Sequence, residues 1–255
     1  MSKVIAIVNQ KGGVGKTTTA VNLSAALAQK GKRVLLIDED PQGNATSGLG
    51  IDKNQEKSIY DALIGDTPIE ETIIKTSIKN LYVCPSNINL AGAEVELVNM
   101  MSRETRMKEK MKTIQDDFHY VIIDCPPSLG LLTINSLTAA NSIIIPIQCE
   151  YYALEGVGQL MNTVNIIKQQ LNKELYIEGV VLTMNDARTN LSNQVISEVK
   201  KYFMDNVYKT IIPRNVKLSE APSYGMPITA YAAHSKGAKC YEKLANEVLK
   251  SKKHG

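Results

Sequence analysis

Two lysines bracket a run of glycines in Val4-Ile5-Ala6-Ile7-Val8-Asn9-Gln10-Lys11-Gly12-Gly13-Val14-Gly15-Lys16-Thr17-Thr18, and that arrangement suits the capture of a phosphate chain. Gly12, Gly13 and Gly15 let successive backbone N–H groups turn inward around an anion, where a Cβ would obstruct the approach. Lys16 then stands beside the β- and γ-phosphates of a nucleotide, and the Thr17 hydroxyl is placed for Mg²⁺. The candidate nucleotide contacts run from Lys11 through Gly12, Gly13, Val14, Gly15, Lys16 and Thr17 to Thr18. The pattern G-x-x-x-x-G-K-[ST] would place a glycine at Gln10. This chain lacks it and carries Lys11 at the loop entrance instead.

Carboxylates at other apolar run ends supply the remaining chemistry. Asp124 closes Tyr120-Val121-Ile122-Ile123 and precedes Cys125-Pro126-Pro127-Ser128, a position suited to holding Mg²⁺ or its water. Asp38 and Asp40 close a second run in Asp38-Glu39-Asp40-Pro41-Gln42-Gly43-Asn44. Strand alternation turns Asp38 and Asp40 toward one side and Glu39 toward the other. One of the two aspartates then assists the metal and the other orients an attacking water.

These groups require a sheet to position them. Arg33–Asp38, Tyr120–Asp124, Ser142–Pro146 and Gly179–Thr183 are near-continuous apolar runs, which suit parallel strands covered on both faces. Helical patterns occupy 17–30, about 89–115, 129–140, 153–172, 191–204 and 236–250. The alternation predicts an α/β fold with a doubly wound, mostly parallel sheet, helices on both faces and the ligand site at the carboxyl ends of the strands. The 255 residues, 44% of them hydrophobic, fit one domain over 1–255, with 251–255 a basic, disordered tail. No apolar stretch approaches the roughly 20 residues that cross a bilayer. The chain begins in a core strand rather than a signal segment, so a cytoplasmic protein is expected. Four separated cysteines form no C-x-x-C pair and indicate neither zinc nor disulfides.

The sequence resembles the deviant Walker-type ATPases, and specifically the ParA/Soj partition branch. The resemblance rests on Lys11–Thr18, Asp38–Asn44 and Asp124–Ser128, and continues through Thr183-Met184-Asn185-Asp186-Ala187-Arg188-Thr189-Asn190 and Ile212–Pro222. One departure is Glu39, where relatives commonly carry a small or apolar residue. It leaves the catalytic face intact by alternation and bears on the packing of its turn.

The resemblance implies a homodimer that sandwiches two ATP molecules, with Mg²⁺, and in which Lys11 crosses to the partner's nucleotide. It implies that Asp40 positions the hydrolytic water, that Thr17 binds Mg²⁺ directly, and that Asp38 and Asp124 act on the metal through water. Adenine is expected near Asn185 and the turn from Pro213 to Asn215. A net charge of +3 does not by itself identify a nucleic-acid binder. Arg188, Arg214 and Lys217 match the family's surface for non-specific double-stranded DNA, with Lys200, Lys201, Lys243 and Lys250 as weaker candidates. A ParB/Spo0J-like protein is the implied stimulator of slow hydrolysis, and a nucleoid-associated location follows. Alternatives are a MinD-like membrane-positioning ATPase and a nucleotide-gated DNA-binding regulator with negligible turnover. The first would need bulky apolar residues on a C-terminal amphipathic helix, and Tyr241–Lys250 offers only Leu244, Val248 and Leu249, so no stable membrane association is expected.

Overall fold

A computed structural model of the chain describes residues 2–150 and 153–251. The first apolar run forms β1 (Lys3–Ile7), the glycine loop follows, and α1 (Lys16–Gln29) leads to β2 (Val34–Asp38). Next come α2 (Asn44–Gly48), α3 (Ile59–Leu63), β3 (Ile74–Lys75), β4 (Leu81–Cys84), α4 (Leu90–Glu96) and α5 (Arg106–Met111). Alternation resumes with β5 (Tyr120–Asp124), α6 (Leu131–Ala139), β6 (Ser142–Gln148), α7 (Val157–Gln170), β7 (Tyr176–Asn185), α8 (Asn190–Phe203) and β8 (Val207–Pro213). Helices α9 (Val216–Glu220), α10 (Ile228–Tyr231) and α11 (Lys236–Lys250) complete the described elements.

The strands form one sheet in the order β3-β4-β2-β5-β1-β6-β7-β8, parallel throughout except for the short edge strand β3. This is the expected doubly wound, mostly parallel architecture. Alternate residues of each strand enter two different cores: Val4, Ala6, Leu35 and Ile37 face α4 to α8, while Ile5, Ile7, Val34 and Leu36 face α1 and α11. Both faces are covered, which is why the strands read as unbroken apolar runs. The crossover from β5 to β6 passes β1 and places β1 between them, so the carboxyl ends of β1, β2 and β5 open onto one crevice beside the glycine loop.

Helix α1 lies between the sheet and α11, and small residues (Ala20, Ser24, Ala25, Ala28) permit burial around nearly its whole circumference. It ends as expected at Lys30-Gly31, with Gly31 at φ +81° and its amide donating to the Ala28 carbonyl. Helix α11 buries a stripe of Ala238, Tyr241, Leu244, Ala245 and Val248 at helical spacing against α1 and β8. Its apolar face is therefore occupied within the fold. Burial of Leu244 alone contributes about 1.5–3 kcal/mol. No helix among the described residues is long and apolar enough to cross a membrane.

The single helix expected over 89–115 is instead broken into α4 and α5, each followed by a 3₁₀ turn. Met100 adopts extended backbone and Ser102 a φ of +54°, so the chain changes direction between the pieces. The Asn135 side chain of α6 holds the break, donating to the Arg103 carbonyl at 2.7 Å and accepting from the Met107 amide at 3.1 Å. The break lets Leu90, Ala93 and Leu97 on one piece and Met107 and Met111 on the other all reach the core. The run expected from 153 becomes helical only at Val157, after Gly156 at φ +77°. Ser251 donates its amide to Glu247, and the rest of the expected basic tail lies outside the described residues.

One backbone contact pins the turn after α2 to the turn after α9. Gly225 has φ +62°, and a Cβ there would lie 2.6 Å from the Gly50 Cα. Gly225→Ala is expected to lower unfolding free energy by about 1–3 kcal/mol, read as a reduced urea midpoint at unchanged slope.

Candidate active site

The phosphate loop is shaped by contacts from distant parts of the sheet. Asn9 donates to the Pro146 carbonyl at 2.7 Å while its Oδ1 accepts from the Lys11 amide at 3.0 Å. The Thr183 hydroxyl of β7 donates to the Val14 carbonyl at 2.8 Å. Val14 is buried, so only its backbone lines the loop. Gly13 and Gly15 take φ of +73° and +89°, and no atom lies within 4 Å of where a Cβ would stand on Gly12 or Gly13. The result is an open cradle that a side chain would fill. Gly15 caps α1 without any side-chain acceptor, which leaves the helix's first amides directed at an anion.

Lys16 is buried and arches back to donate to the Lys11 carbonyl at 3.2 Å. Burial lowers its affinity for the proton, and Asp124 is the chief opposing influence. Thr17 and Thr18 are half-buried at the start of α1. Lys11 is half-exposed at the loop entrance, and its ammonium makes no hydrogen bond or ion pair among the described residues.

Asp38 and Asp124 are register partners on adjacent strands, and both are fully buried. Asp38 accepts from the Thr46 amide and hydroxyl, each at 2.7 Å, and from the Asp40 amide at 3.3 Å. Burial nevertheless pushes it up to about 6. Asp124 is the less satisfied of the two: neither oxygen has a partner of hydrogen-bond geometry, although the Thr17 hydroxyl is near enough to offset part of the desolvation. Burial, then the neighbouring Asp38, drive its pKa well above the ordinary carboxylate value. A divalent cation beside Thr17 and Asp124 would supply the missing positive charge, so the residues present fit Mg²⁺. Among the described residues no three His, Cys, Asp or Glu side chains converge as a metal cage, which suits an ion completed by phosphate oxygens and water. Asp38, with its donors already in place, ties α2 to the site.

Asp40 is 9% exposed and accepts from the Gln42 amide at 2.9 Å. Glu39 goes to the opposite face, as alternation predicts, and there it is fully buried with both carboxylate oxygens unpartnered. Burial, and then Glu94, hold its pKa well above the usual value. Glu94 is itself engaged by the Leu131 amide at 2.8 Å and the Leu132 amide at 3.4 Å at the start of α6.

At the far end of the crevice, Asn185 and Pro213 are register partners, and the Arg214 amide donates to the Asn185 carbonyl at 3.0 Å. The Asn185 Oδ1 is buried without a donor, and the exocyclic amine of adenine would satisfy it. Met184 precedes it at φ +52°, which bends the strand end. Asn215 caps α9 by accepting from the Lys217 amide at 2.9 Å, so its Oδ1 is engaged. Thr183 joins this end to the phosphate loop. Arg188, Arg214 and Lys217 are exposed on the same turns, outside the crevice.

A family model described as an AAA domain matches residues 2–177. The chain is 62% identical over 249 residues to the sporulation initiation inhibitor protein Soj of Bacillus subtilis (strain 168), covering 97% of this chain and 98% of the relative. It is 53% identical over 251 residues to the chromosome partitioning protein ParA of Myxococcus xanthus (strain DK1622), covering 98% and 89%. The chain belongs to the Soj/ParA family. The fold of this Soj/ParA chain is also that of a Mycobacterium smegmatis structure named cobyrinic acid a,c-diamide synthase, with bound ATP analog and magnesium. That structure aligns with a TM-score of 0.89 at 39% identity, over 98% of this chain and 94% of its own.

Asn9 and Thr183, which shape the loop, escaped the sequence reading. Asn9 follows an apolar run and Thr183 ends one, but their partners lie 137 and 169 residues away. Glu39 is a buried charge site at no visible benefit to packing, and replacing it by an apolar side chain of similar length removes an unpartnered polar group. Glu39→Met is expected to stabilise the protein by about 1–3 kcal/mol, seen as a melting temperature higher by roughly 3 °C or more.

Proposed function

We propose that the chain is a magnesium-dependent ATPase of chromosome or plasmid partitioning, formed as one ATPase domain. In this reading two copies close over two ATP molecules, and the dimer binds double-stranded DNA without sequence preference. Hydrolysis is slow and is stimulated by a ParB-like partner, and the protein works in the cytoplasm on the nucleoid. The observation that carries the reading is the unpaired Lys11 ammonium at the rim of an open glycine cradle. Among the described residues of one chain this cation has no acceptor, and a second copy's nucleotide supplies one.

The chain's residues divide the work by position. The loop amides and Lys16 hold the phosphates, and the Thr17 hydroxyl with Asp124 holds the metal. Mg²⁺, when bound with ATP, offsets the negative charge of the β- and γ-phosphates. Asp40, fixed through one oxygen by the Gln42 amide, orients the attacking water with the other. Asn185 and the turn from Pro213 to Asn215 receive the base. Arg188, Arg214 and Lys217 contact DNA phosphates, which secures affinity without reading sequence.

The diamide-synthase name of the Mycobacterium smegmatis structures points to another chemistry. An amide synthase that released ammonia from glutamine through a cysteine would need a reactive thiolate. Here burial pushes the Cys84 thiol up to about 12 and Cys149 to about 11, and it raises Cys125 and Cys240 as well. The partitioning reading accounts for the site without such a nucleophile.

Lys11→Ala is expected to abolish ATP-dependent dimers in sedimentation velocity while a fluorescent ATP analogue still binds the monomer; dimers of unchanged affinity would remove the assignment. Asp40→Ala should lower turnover by about 100-fold or more and accumulate the ATP dimer. Turnover measured alone, with non-specific duplex, and with duplex plus a ParB-like partner peptide tests the whole cycle. No stimulation in the third condition would count against the partner assignment.

A further inference from the structure

Each of the three cations assigned to DNA already holds a carboxylate. Arg188 donates through Nε to Asp186 Oδ1 at 2.9 Å and through Nη2 to Oδ2 at 2.7 Å, presenting the fork that a phosphate would occupy. Arg214 pairs through Nη2 with Glu150 at the end of β6. Lys217 donates to Glu220 at 2.8 Å, and the same Glu220 oxygen accepts from the Tyr231 hydroxyl at 2.9 Å. By contrast, Lys200, Lys201, Lys243 and Lys250 on α8 and α11 are exposed and make no ion pair among the described residues. Carboxylate partners thus fall on the cations of the β7–α8 turn, the end of β8 and α9, which border the base-binding end, and not on the lysines of α8 and α11.

We infer that Asp186, Glu150 and Glu220 are built-in competitors for DNA phosphate, each occupying a cation that must exchange its carboxylate for a phosphate when the protein binds a duplex. The inference rests on the assignment of Arg188, Arg214 and Lys217 to the DNA surface and adds a regulating acid to each. The exchange is physically accessible because all three pairs are solvent-exposed, with Arg188 at 87%, Arg214 at 58% and Lys217 at 54%. Exposed pairs are weak, so phosphate can displace them, yet they are strong enough to lower affinity several-fold. Glu220 keeps the Tyr231 donor when Lys217 leaves, which eases release. The freed carboxylates must be rehydrated and attract cations, which reduces the net counterion release that drives binding.

The pairs also adjoin the base-binding residues. Asp186 follows Asn185 directly, and the Arg214 amide donates to the Asn185 carbonyl. The acids therefore sit where occupancy of the nucleotide site and occupancy of the DNA surface meet.

The test uses the full chain with Mg²⁺ and a hydrolysis-resistant ATP analogue, titrated against a fluorescent non-specific duplex across a salt series. Asp186→Asn retains an oxygen acceptor for the Arg188 amide and removes the charge together with the second oxygen that accepts from Nη2. Asp186→Asn, Glu150→Gln and Glu220→Gln are each expected to bind about two- to five-fold tighter, and the triple variant about tenfold or more, with a steeper dependence on salt. Glu174→Gln, at the opposite end of β7, makes the charge change of one single variant away from the three cations, so each single variant is set against it and the triple variant against three times its logarithmic effect. Triple-variant affinity no greater than that control explains, with binding still abolished by Arg188→Glu with Lys217→Glu, would overturn the competitor role and leave the DNA surface in place. Persistence of DNA binding in the Arg188→Glu, Lys217→Glu protein would overturn the surface assignment itself and the competitor role with it.

Discussion

A buried carboxylate with no donor beyond the nearby Thr17 hydroxyl is the constraint around which the site is arranged. Asp124 ends a fully covered strand with both oxygens unpartnered, one strand away from Asp38. Two adjacent carboxylates in a low-dielectric strand end repel each other, and the Lys16 ammonium, itself disfavoured by burial, offsets only part of that. The arrangement is intelligible if a further positive charge arrives with the ligand. Two buried carboxylates at adjacent strand ends thereby favour a metal-bearing nucleotide over an anion alone.

Rigidity around that deficit comes from long-range hydrogen bonds more than from the loop's own composition. Pro146 holds Asn9, Thr183 holds Val14, and Thr46 holds Asp38. These contacts draw β6, β7 and α2 onto the phosphate loop, so the base end, the catalytic turn and the phosphate cradle share one frame. The surface cations belong to that frame as well, since Arg214 is joined to Asn185 through the backbone.

Much of this architecture was legible because the chemistry is local. Strand β1, the glycine loop and α1 are contiguous, so their order alone specifies a phosphate site, and Asp124 and the Asp38–Asp40 pair are marked by the apolar runs they close. The alternation that sends Glu39 away from Asp38 and Asp40 held in the structure. Other features were not legible. The helical pattern over 89–115 is locally consistent, but Asn135, on another element, supplies the hydrogen bonds that stabilise a break there. Strand β8 carries Lys209 and Thr210 among its apolar residues and became a strand by pairing with β7.

Sequence by itself determined the fold class, the glycine loop, the carboxylates that close β2 and β5 and the family, because each depends on residue type and on spacing within one or two elements. Tertiary structure decided which side chains anchor that loop, that Glu39 is buried without a partner, and that Arg214 is held by Glu150. Arg214 and Glu150 show the reason: they are 64 positions apart, and only the parallel order of β6, β7 and β8 brings their charges together. Pairing between distant charges is a property of strand order, and no local pattern encodes it.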